Sequence, residues 1–448
     1  MSGMFRAYDI RGVYGKELTE EAAFKVGAAF GTINKGTIAV GIDARLSGPS
    51  LKEKLIEGLI SAGCNVIDVG MITTPMMIFS VGHYKLDGGI MVTASHNPKE
   101  YNGFKVFSGG AMPVSYEGGL DEIEELAADG RFSKGNGRIE KKNIFEDYAK
   151  FVLGQFTFKN TAMKVVVDAG NGAAGKINSE ILRRAGFDVV ELFCTPDGNF
   201  PNHLPDPSEP ENIEDLKEAV EGLGAHVGFA FDGDGDRLGV IGMGGKGVRA
   251  DDTFIILAKH ALQKHPNGKI IINISCSMAV GDMVKKMGGV PVECRVGHTY
   301  ITEKMVEAGG VFAGELSGHY FFRETFSGDD ALFAALSLLE FLSNNRTTLH
   351  AESGNIPRYF SEVAENIVIP LREELKGPFM RELKQMCKAR GFRSSDLDGV
   401  KILFEDGWAL FRPSNTTPLI RYGYEARTKE GFERIKRVVE EIKAMAPK

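Results

Sequence analysis

Apolar residues along this chain fall in short continuous runs rather than in alternation, and each run stops at a turn of small or acidic residues. The run Thr37-Ile38-Ala39-Val40-Gly41-Ile42 leads into Asp43-Ala44-Arg45, a helical stretch over 50–61, a stop at Ala62-Gly63 and a second run Asn65-Val66-Ile67-Asp68-Val69. The order returns with Lys164-Val165-Val166-Val167, Asp168-Ala169-Gly170-Asn171-Gly172, a helix to Arg184, Ala185-Gly186 and Asp188-Val189-Val190-Glu191-Leu192. It returns again with Lys269-Ile270-Ile271-Ile272-Asn273, Ser275-Cys276-Ser277, a helix to Lys286, Gly288-Gly289 and Val290-Pro291-Val292-Glu293. Continuous apolar runs joined by helices predict buried strands of a mainly parallel sheet covered by helices. A glycine after each helix is a stop signal.

Each unit carries a later strand that ends in a polar loop. Ile90-Met91-Val92 enters Thr93-Ala94-Ser95-His96-Asn97-Pro98; Val227–Phe231 enters Asp232-Gly233-Asp234-Gly235-Asp236-Arg237; Val311-Phe312-Ala313 enters Gly314-Glu315-Leu316-Ser317-Gly318-His319. Ligands gather beyond the carboxyl ends of strands in α/β sheets, so three equivalent loops predict one shared cleft. The tail from about Ile356 is of another design: strand-like pieces (360–369, 399–403, 408–412, 419–426) alternate with helical ones (377–390, 429–445), an α+β pattern.

A chain of 448 residues exceeds a single core, and suggests about three or four domains of roughly 100–150 residues. The net charge of −7 argues against nucleic acid or an acidic membrane as the main partner. Apolar stretches fall short of the ~18 residues of a membrane span, and the N-terminus has no signal-peptide core. The five cysteines, Cys64, Cys194, Cys276, Cys294 and Cys387, lack CxxC spacing and read as buried thiols of a reducing compartment. A cytoplasmic location is expected.

The loops differ in chemistry. Ser95, on a tight strand-end turn expected to be exposed, is a poor nucleophile without a base, a metal or a depressed pKa; His96 and Lys105, in Tyr101-Asn102-Gly103-Phe104-Lys105, are the nearby helpers. Asp232, Asp234 and Asp236 alternate with glycines that let the backbone aim all three carboxylates at one point, where Mg²⁺ or Ca²⁺ relieves their repulsion. An EF-hand is excluded, because Arg237 and Met243 stand where its glycine and glutamate belong. Arg237 beside a cation suits a transferring phosphoryl group. Arg412-Pro413-Ser414-Asn415-Thr416-Thr417-Pro418 offers a donor fork and short polar groups on a stiff loop, an anion-binding candidate. Glu315, Ser317 and His319 offer groups able to hydrogen-bond sugar hydroxyls. His298 and the segment Tyr8-Asp9-Ile10-Arg11-Gly12 are weaker signals.

Taken in order, these motifs resemble the α-D-phosphohexomutases, in particular the bifunctional phosphomannomutase/phosphoglucomutase branch. The resemblance implies four domains around a central cleft: three related α/β domains with mixed sheets, then a C-terminal α+β domain. Expected boundaries are 1–148 (phosphoserine), 149–247 (metal), 248–357 (sugar) and 358–448 (phosphate). It implies that Ser95 carries a phosphoryl group and, with Asp232, Asp234 and Asp236, holds Mg²⁺. Arg11 and Lys105 match positions of acid/base assistance, His298 is expected close to the cleft as a further catalytic candidate, and Tyr8 and Arg237 match ligand contacts. Glu315, Ser317 and His319 look like the sugar readers, and Arg412, Ser414, Asn415, Thr416 and Thr417 like the clamp for the resting phosphate.

The implied reaction passes a phosphoryl group between C1 and C6 of mannose or glucose phosphates through hexose 1,6-bisphosphate, which doubles as activator. The partners are then small hexose phosphates, and the protein a monomer or small homo-oligomer. Leu316 stands where this branch commonly has Met, an apolar exchange without consequence for hydroxyl recognition. Phosphoglucosamine mutases usually carry Gln in that loop and lack the Tyr-Asn-Gly-Phe-Lys form, which makes glucosamine phosphate the alternative substrate. A metal-dependent sugar-phosphate hydrolase is the alternative from another class.

Overall fold

A computed structural model describes residues 3–363, 367–414 and 417–447. The three predicted repeats are there, each with the same strand order. In the first, Thr37–Ile42 lies between parallel neighbours Asn65–Met71 and Gly88–Val92, and Tyr101–Ser108 adds to Gly88–Val92 antiparallel. In the second, Lys164–Asp168 lies between Asp188–Leu192 and Val227–Phe231, with Leu238–Gly242 as the antiparallel addition. In the third, Lys269–Asn273 lies between Val290–Cys294 and Gly310–Gly314, with Tyr320–Phe322 added. The spatial order is fourth, third, first, second in each of these three sheets. Ile10–Val13 and Ile139–Lys141 extend the first sheet at its two edges, and Lys246–Val248 extends the second.

The continuous apolar runs are explained by burial on both faces: every residue of Gly88–Val92, Val227–Phe231 and Gly310–Gly314 is buried. The helix stops are equally local. Gly63, Gly186 and Gly288, equivalent in the three units, have φ of 99°, 97° and 82°, a region that costs a side chain about 1–2 kcal/mol. Each unit has a second crossover helix that the sequence pattern did not single out: Thr74–His83, Glu214–Gly222 and His298–Ala308. Thr74–His83 is capped by Thr73, whose Oγ1 accepts from the Met76 N–H, and has Pro75 in its first turn.

One apolar core runs through all three units, taking in Met77 and Phe79, Tyr148 and Phe231, Phe254 and Ile272, and most of the helix Ala331–Asn345. A second core, with Phe30, Val40, Leu55 and Phe104, fills the other face of the first sheet. The C-terminal unit is separate: Phe379, Leu383, Phe411, Tyr424 and Ile435 pack its sheet against Glu373–Ala389 and Lys429–Ala444. It meets the third unit through Trp408, Leu410 and Ile274. Glu425 accepts there from Ser277 Oγ and Met278 N, each at 2.6 Å, at the start of the helix Met278–Lys286.

Two expectations for the tail are corrected. The expected strand 360–369 is two short strands, Phe360–Glu362 and Val368–Pro370, which pair separately with Leu419–Ala426. The helix expected from Gly377 begins at Glu373 and holds Pro378 in its interior; acidic Glu373 and Glu374 form its first turn. All five cysteines are buried free thiols. Among the described residues no helix is long and apolar enough to cross a membrane.

Glu340, in the buried helix Ala331–Asn345, lies 2.9 Å from His260 Nε2, forms an ion pair with Lys264 at 2.7 Å and accepts from Thr157 N. Burial opposes its charge, but His260, Lys264 and Thr157 N bring its pKa from 4.5 down to about 2. Its contribution to stability is therefore full above the unfolded value and lost as pH falls through the folded one. Glu340→Gln should melt at a lower temperature than the parent at neutral pH. In melts at stepped pH, that difference should shrink between about pH 5 and pH 2.

Candidate active site

Ser95 follows the strand Gly88–Val92 at φ 49°, in the left-handed region. Its N–H donates to Thr93 Oγ1 at 2.8 Å, and its Oγ donates to Asp232 Oδ2 at 2.6 Å, with His96 Nδ1 3.1 Å away. The expectation of an exposed serine is overturned, for Ser95 is 2% exposed. The second unit covers it: a Cβ on Gly233 would stand 2.4 Å from Ser95 O, so only glycine allows the two loops to meet.

The acidic turn folds around Asp232. Its Oδ1 accepts from the N–H groups of Gly235, Asp236 and Arg237 at 3.0, 3.0 and 3.1 Å, which leaves Oδ2 for Ser95. Asp234 Oδ2 accepts from Thr74 Oγ1 at 2.6 Å and Lys105 Nζ at 2.7 Å, and Lys105 Nζ also reaches Asp236 Oδ2. Lys105 gets there from the antiparallel strand Tyr101–Ser108, opposite Met91. The three carboxylates are fully buried and can each offer an oxygen within 4.8 Å of the others. Burial and then Asp236 and Asp234 raise Asp232 well above the usual carboxylate range. Burial opposes the charge of Asp236 too, but Lys105, His319 and Arg237 hold it far below that range.

This donor set fits a hard divalent cation. The ligands are all oxygen, Asp234 Oδ1 is buried with no hydrogen-bond partner among the described residues, and the Lys105 ammonium is shared between Asp234 and Asp236.

The third unit closes the other side. His319 Nε2 lies 3.4 Å from Asp236 Oδ1 and 3.8 Å from Asp329 Oδ2, and Nδ1 lies 3.3 Å from Glu315 Oε2. Burial disfavours the imidazolium, yet Asp236 and Glu315 raise His319 to about 10 against the opposing Arg237. Glu315 Oε1 accepts from Asn273 Nδ2 and Gly297 N, both at 2.9 Å; despite burial, His319 and Gly297 N bring Glu315 down to about 2. Ser317 Oγ sits 2.8 Å from His319 Nδ1. Arg237 Nε is 4.0 Å from Asp232 Oδ2 and 3.3 Å from His319 Nε2.

His298 opens the helix His298–Ala308, its ring 6.2 Å from that of His319 and 5.9 Å from that of Tyr8. Burial, then Lys105 and His319, lower His298 to about 4. Arg11 donates to Asp9 at 2.5 Å and to Asn97 Oδ1 at 2.8 Å.

Arg412, Ser414 and Thr417 form a second group in the C-terminal unit. Ser414 Oγ and Thr417 Oγ1 are 2.7 Å apart, and buried Lys376 donates to Ser414 O at 2.7 Å. Arg412 Nε stands 3.9 Å from Asp398, which accepts from Val296 N; Val296 O in turn accepts from Tyr8. That chain links the group to the first unit. Asn415 and Thr416 lie outside the described residues.

Sequence reasoning missed Thr74, Asn97, Asp329 and Lys376. Asp329 had a readable signal: Asp329-Asp330 precedes the apolar helix Ala331–Asn345, and capping that helix uses Asp330 alone. Asp329 is left over, buried beside His319, and burial and Asp236 raise it to about 7.

Four consecutive family models match the chain: phosphoglucomutase/phosphomannomutase alpha/beta/alpha domain I over residues 2–134, domain II over 146–245, domain III over 249–359 and the C-terminal domain over 371–442. The chain belongs to the phosphoglucomutase/phosphomannomutase family. It is 39% identical over 442 residues to a phosphomannomutase/phosphoglucomutase of Pseudomonas aeruginosa, covering 98% of this chain and 94% of that one. A phosphoglucomutase of Neisseria gonorrhoeae is 38% identical over 444 residues, covering 96% and 95%. Among solved structures, a phosphoglucomutase/phosphomannomutase family protein from Burkholderia thailandensis superposes with a TM-score of 0.90 at 34% identity, covering 99% and 98%.

The tight meeting of the first two units is open to test. Gly233→Ala must push the aspartate loop off Ser95 O, and overpacking of this kind costs about 1–3 kcal/mol. The expected result is a lowered melting temperature together with reduced turnover; a variant with parental values in both would show that the close contact is not needed.

Proposed function

We propose that this enzyme moves a phosphoryl group between the C1 and C6 oxygens of hexose phosphates, mannose or glucose, through phosphorylated Ser95 and a hexose 1,6-bisphosphate. The observation that carries the reading is a strained, buried serine hydroxyl 2.6 Å from the first of three converging carboxylates. Family membership supports it over nearly the whole chain. We divide the chain into a phosphoserine domain (1–148), a metal domain (149–247), a sugar domain (248–357) and a phosphate domain (358–448). Five buried thiols and hexose phosphates as partners are in keeping with a cytoplasmic enzyme.

Asp232, Asp234 and Asp236, with Ser95, would hold Mg²⁺. Bound there, Mg²⁺ supplies positive charge to the phosphoryl oxygens. The chain's own groups set up the rest. Lys105 is charged: burial opposes it, but the surrounding carboxylates raise it above the ordinary lysine range. His319 is raised to about 10, so both suit charge stabilisation, and Arg237 adds a guanidinium. Proton acceptance falls to neutral imidazoles. His298 is one, and His96 is another, lowered by burial and by Arg237 and Arg11. Glu315, Ser317 and His319 read the sugar hydroxyls, Tyr8 and Arg11 line the cleft, and Arg412, Ser414 and Thr417, backed by Lys376, hold the phosphate that is not reacting. Transfer between positioned oxygens needs placement and charge more than covalent chemistry. Asn415 and Thr416 complete the proposed clamp.

With mannose 1-phosphate, Mg²⁺ and a trace of glucose 1,6-bisphosphate, the expected product is mannose 6-phosphate. Free phosphate as the main product would instead mark a hydrolase. Ser95→Ala should abolish this conversion while the protein still melts cooperatively, because alanine fits the space and only the hydroxyl is lost. Arg412→Ala should leave the melting temperature almost unchanged and raise KM about tenfold or more, the loss of a charged hydrogen bond of roughly 1.5–3 kcal/mol; an unchanged KM would remove Arg412 from the clamp.

A further inference from the structure

Arg45 belongs to the turn after the strand Thr37–Ile42 and is absent from the machinery described so far, yet it is the largest fully buried side chain among the described residues, at 1% exposure. A guanidinium has five N–H donors, and here each has an acceptor. Nε faces Asp43 Oδ2 at 3.2 Å. Nη1 donates to Pro98 O at 2.7 Å and Tyr101 O at 2.9 Å, and Nη2 donates to Ser95 O at 2.7 Å and Asn97 O at 2.6 Å. Four of the five bonds go to carbonyls of one loop, the loop that carries Ser95.

The fifth closes a ring around the same serine. Asp43 Oδ2 also accepts from Thr93 Oγ1 at 2.7 Å, and Thr93 Oγ1 accepts the Ser95 N–H. Ser95 is thus gripped through its carbonyl by Arg45 and through its N–H by the Thr93–Asp43 pair that ends on Arg45. A serine at φ 49° is strained, and a strained residue persists only where its surroundings over-determine it. Asn97 is held in the same way: its carbonyl goes to Arg45, and its side chain receives Arg11.

The second unit seals the site. The Phe200 ring lies 5.2 Å from the guanidinium carbon, and a Cβ on Gly198 would stand 2.5 Å from Ala44 O. Resting on the phosphoryl-transfer reading above, we propose that Arg45 is a positioning residue, which fixes Ser95 Oγ on the line of transfer by tying the carbonyls of residues 95, 97, 98 and 101 to one planar cation. Lysine cannot replace it, because a point ammonium has three donors and no fork to reach four carbonyls.

The test is Arg45→Lys, measured for thermal melting, for kcat and KM with hexose 1-phosphate, and for the single-turnover rate of phosphoryl transfer from phosphorylated enzyme to hexose phosphate. The parent and Ser95→Ala run alongside: a parent without mutase turnover refutes the activity itself, separately from the role of Arg45. The expected result is a folded variant whose kcat and single-turnover rate fall by about 100-fold, the scale of a small misplacement of reacting groups, with KM within about threefold of the parent. A folded variant with parental kcat, or with its loss confined to KM, overturns the proposal. If Arg45→Lys shows no cooperative melt, Phe200→Leu decides, since it removes the ring that holds the guanidinium in place and so slackens its bonds to the loop carbonyls. It should lower kcat by about threefold at unchanged KM, and a parental kcat there overturns the proposal equally.

Discussion

The structure turns on the burial of like charge. Asp232, Asp234 and Asp236 lie out of water within reach of one another, an arrangement that one loop cannot sustain alone. Compensation arrives from elsewhere in the chain: Lys105 and Thr74 from the first unit, His319 from the third, and the N–H groups of residues 235–237 from within the turn. The carboxylates are therefore the reason three separate sheets present their loops to one point. The histidines around the cleft are driven apart: Asp236 and Glu315 raise His319 against its burial, whereas burial, then Lys105 and His319, lower His298.

Repetition explains how such a site can be assembled. Three sheets of one strand order each end a strand in a loop, and the three loops have taken different chemistry: a hydroxyl, a set of carboxylates, and a glutamate–histidine pair. Glycines set how closely they approach. At Gly233 it is the Ser95 carbonyl that excludes a side chain, and at Gly297, with φ 127°, it is the Tyr8 ring. The C-terminal unit, with its own core and an antiparallel sheet, joins through Trp408, Glu425 and Asp398 and brings a separate anion-binding group.

What the sequence made legible was whatever is local. The central strand runs, the glycine stops in the left-handed region and the alternating aspartates each follow from neighbouring residues and stand where they were read, whereas the runs Asp188–Leu192 and Val290–Cys294, also read as buried, are edge strands and largely half-exposed. What was not legible depends on partners far along the chain. Ser95 read as exposed because its cover, the loop around Gly233, lies 138 positions away in sequence by its numbering. Lys105 read as a neighbour of the serine turn, but a strand opposite Met91 aims it at Asp234 and Asp236. Arg45 read as part of a polar turn, since nothing adjacent to it announces four carbonyls from residues 95 to 101. Thr74 escaped for the same reason, its role being set by Asp234 of the second unit.

The central claim is that Ser95 is the group that carries phosphate between substrates. Enzyme incubated with hexose bisphosphate labelled with radioactive phosphorus, then digested and mapped, tests it most directly. The account predicts label on the peptide containing Ser95, released as hexose bisphosphate when unlabelled hexose monophosphate is added. Label on another residue, or its departure as inorganic phosphate under the same conditions, would contradict it.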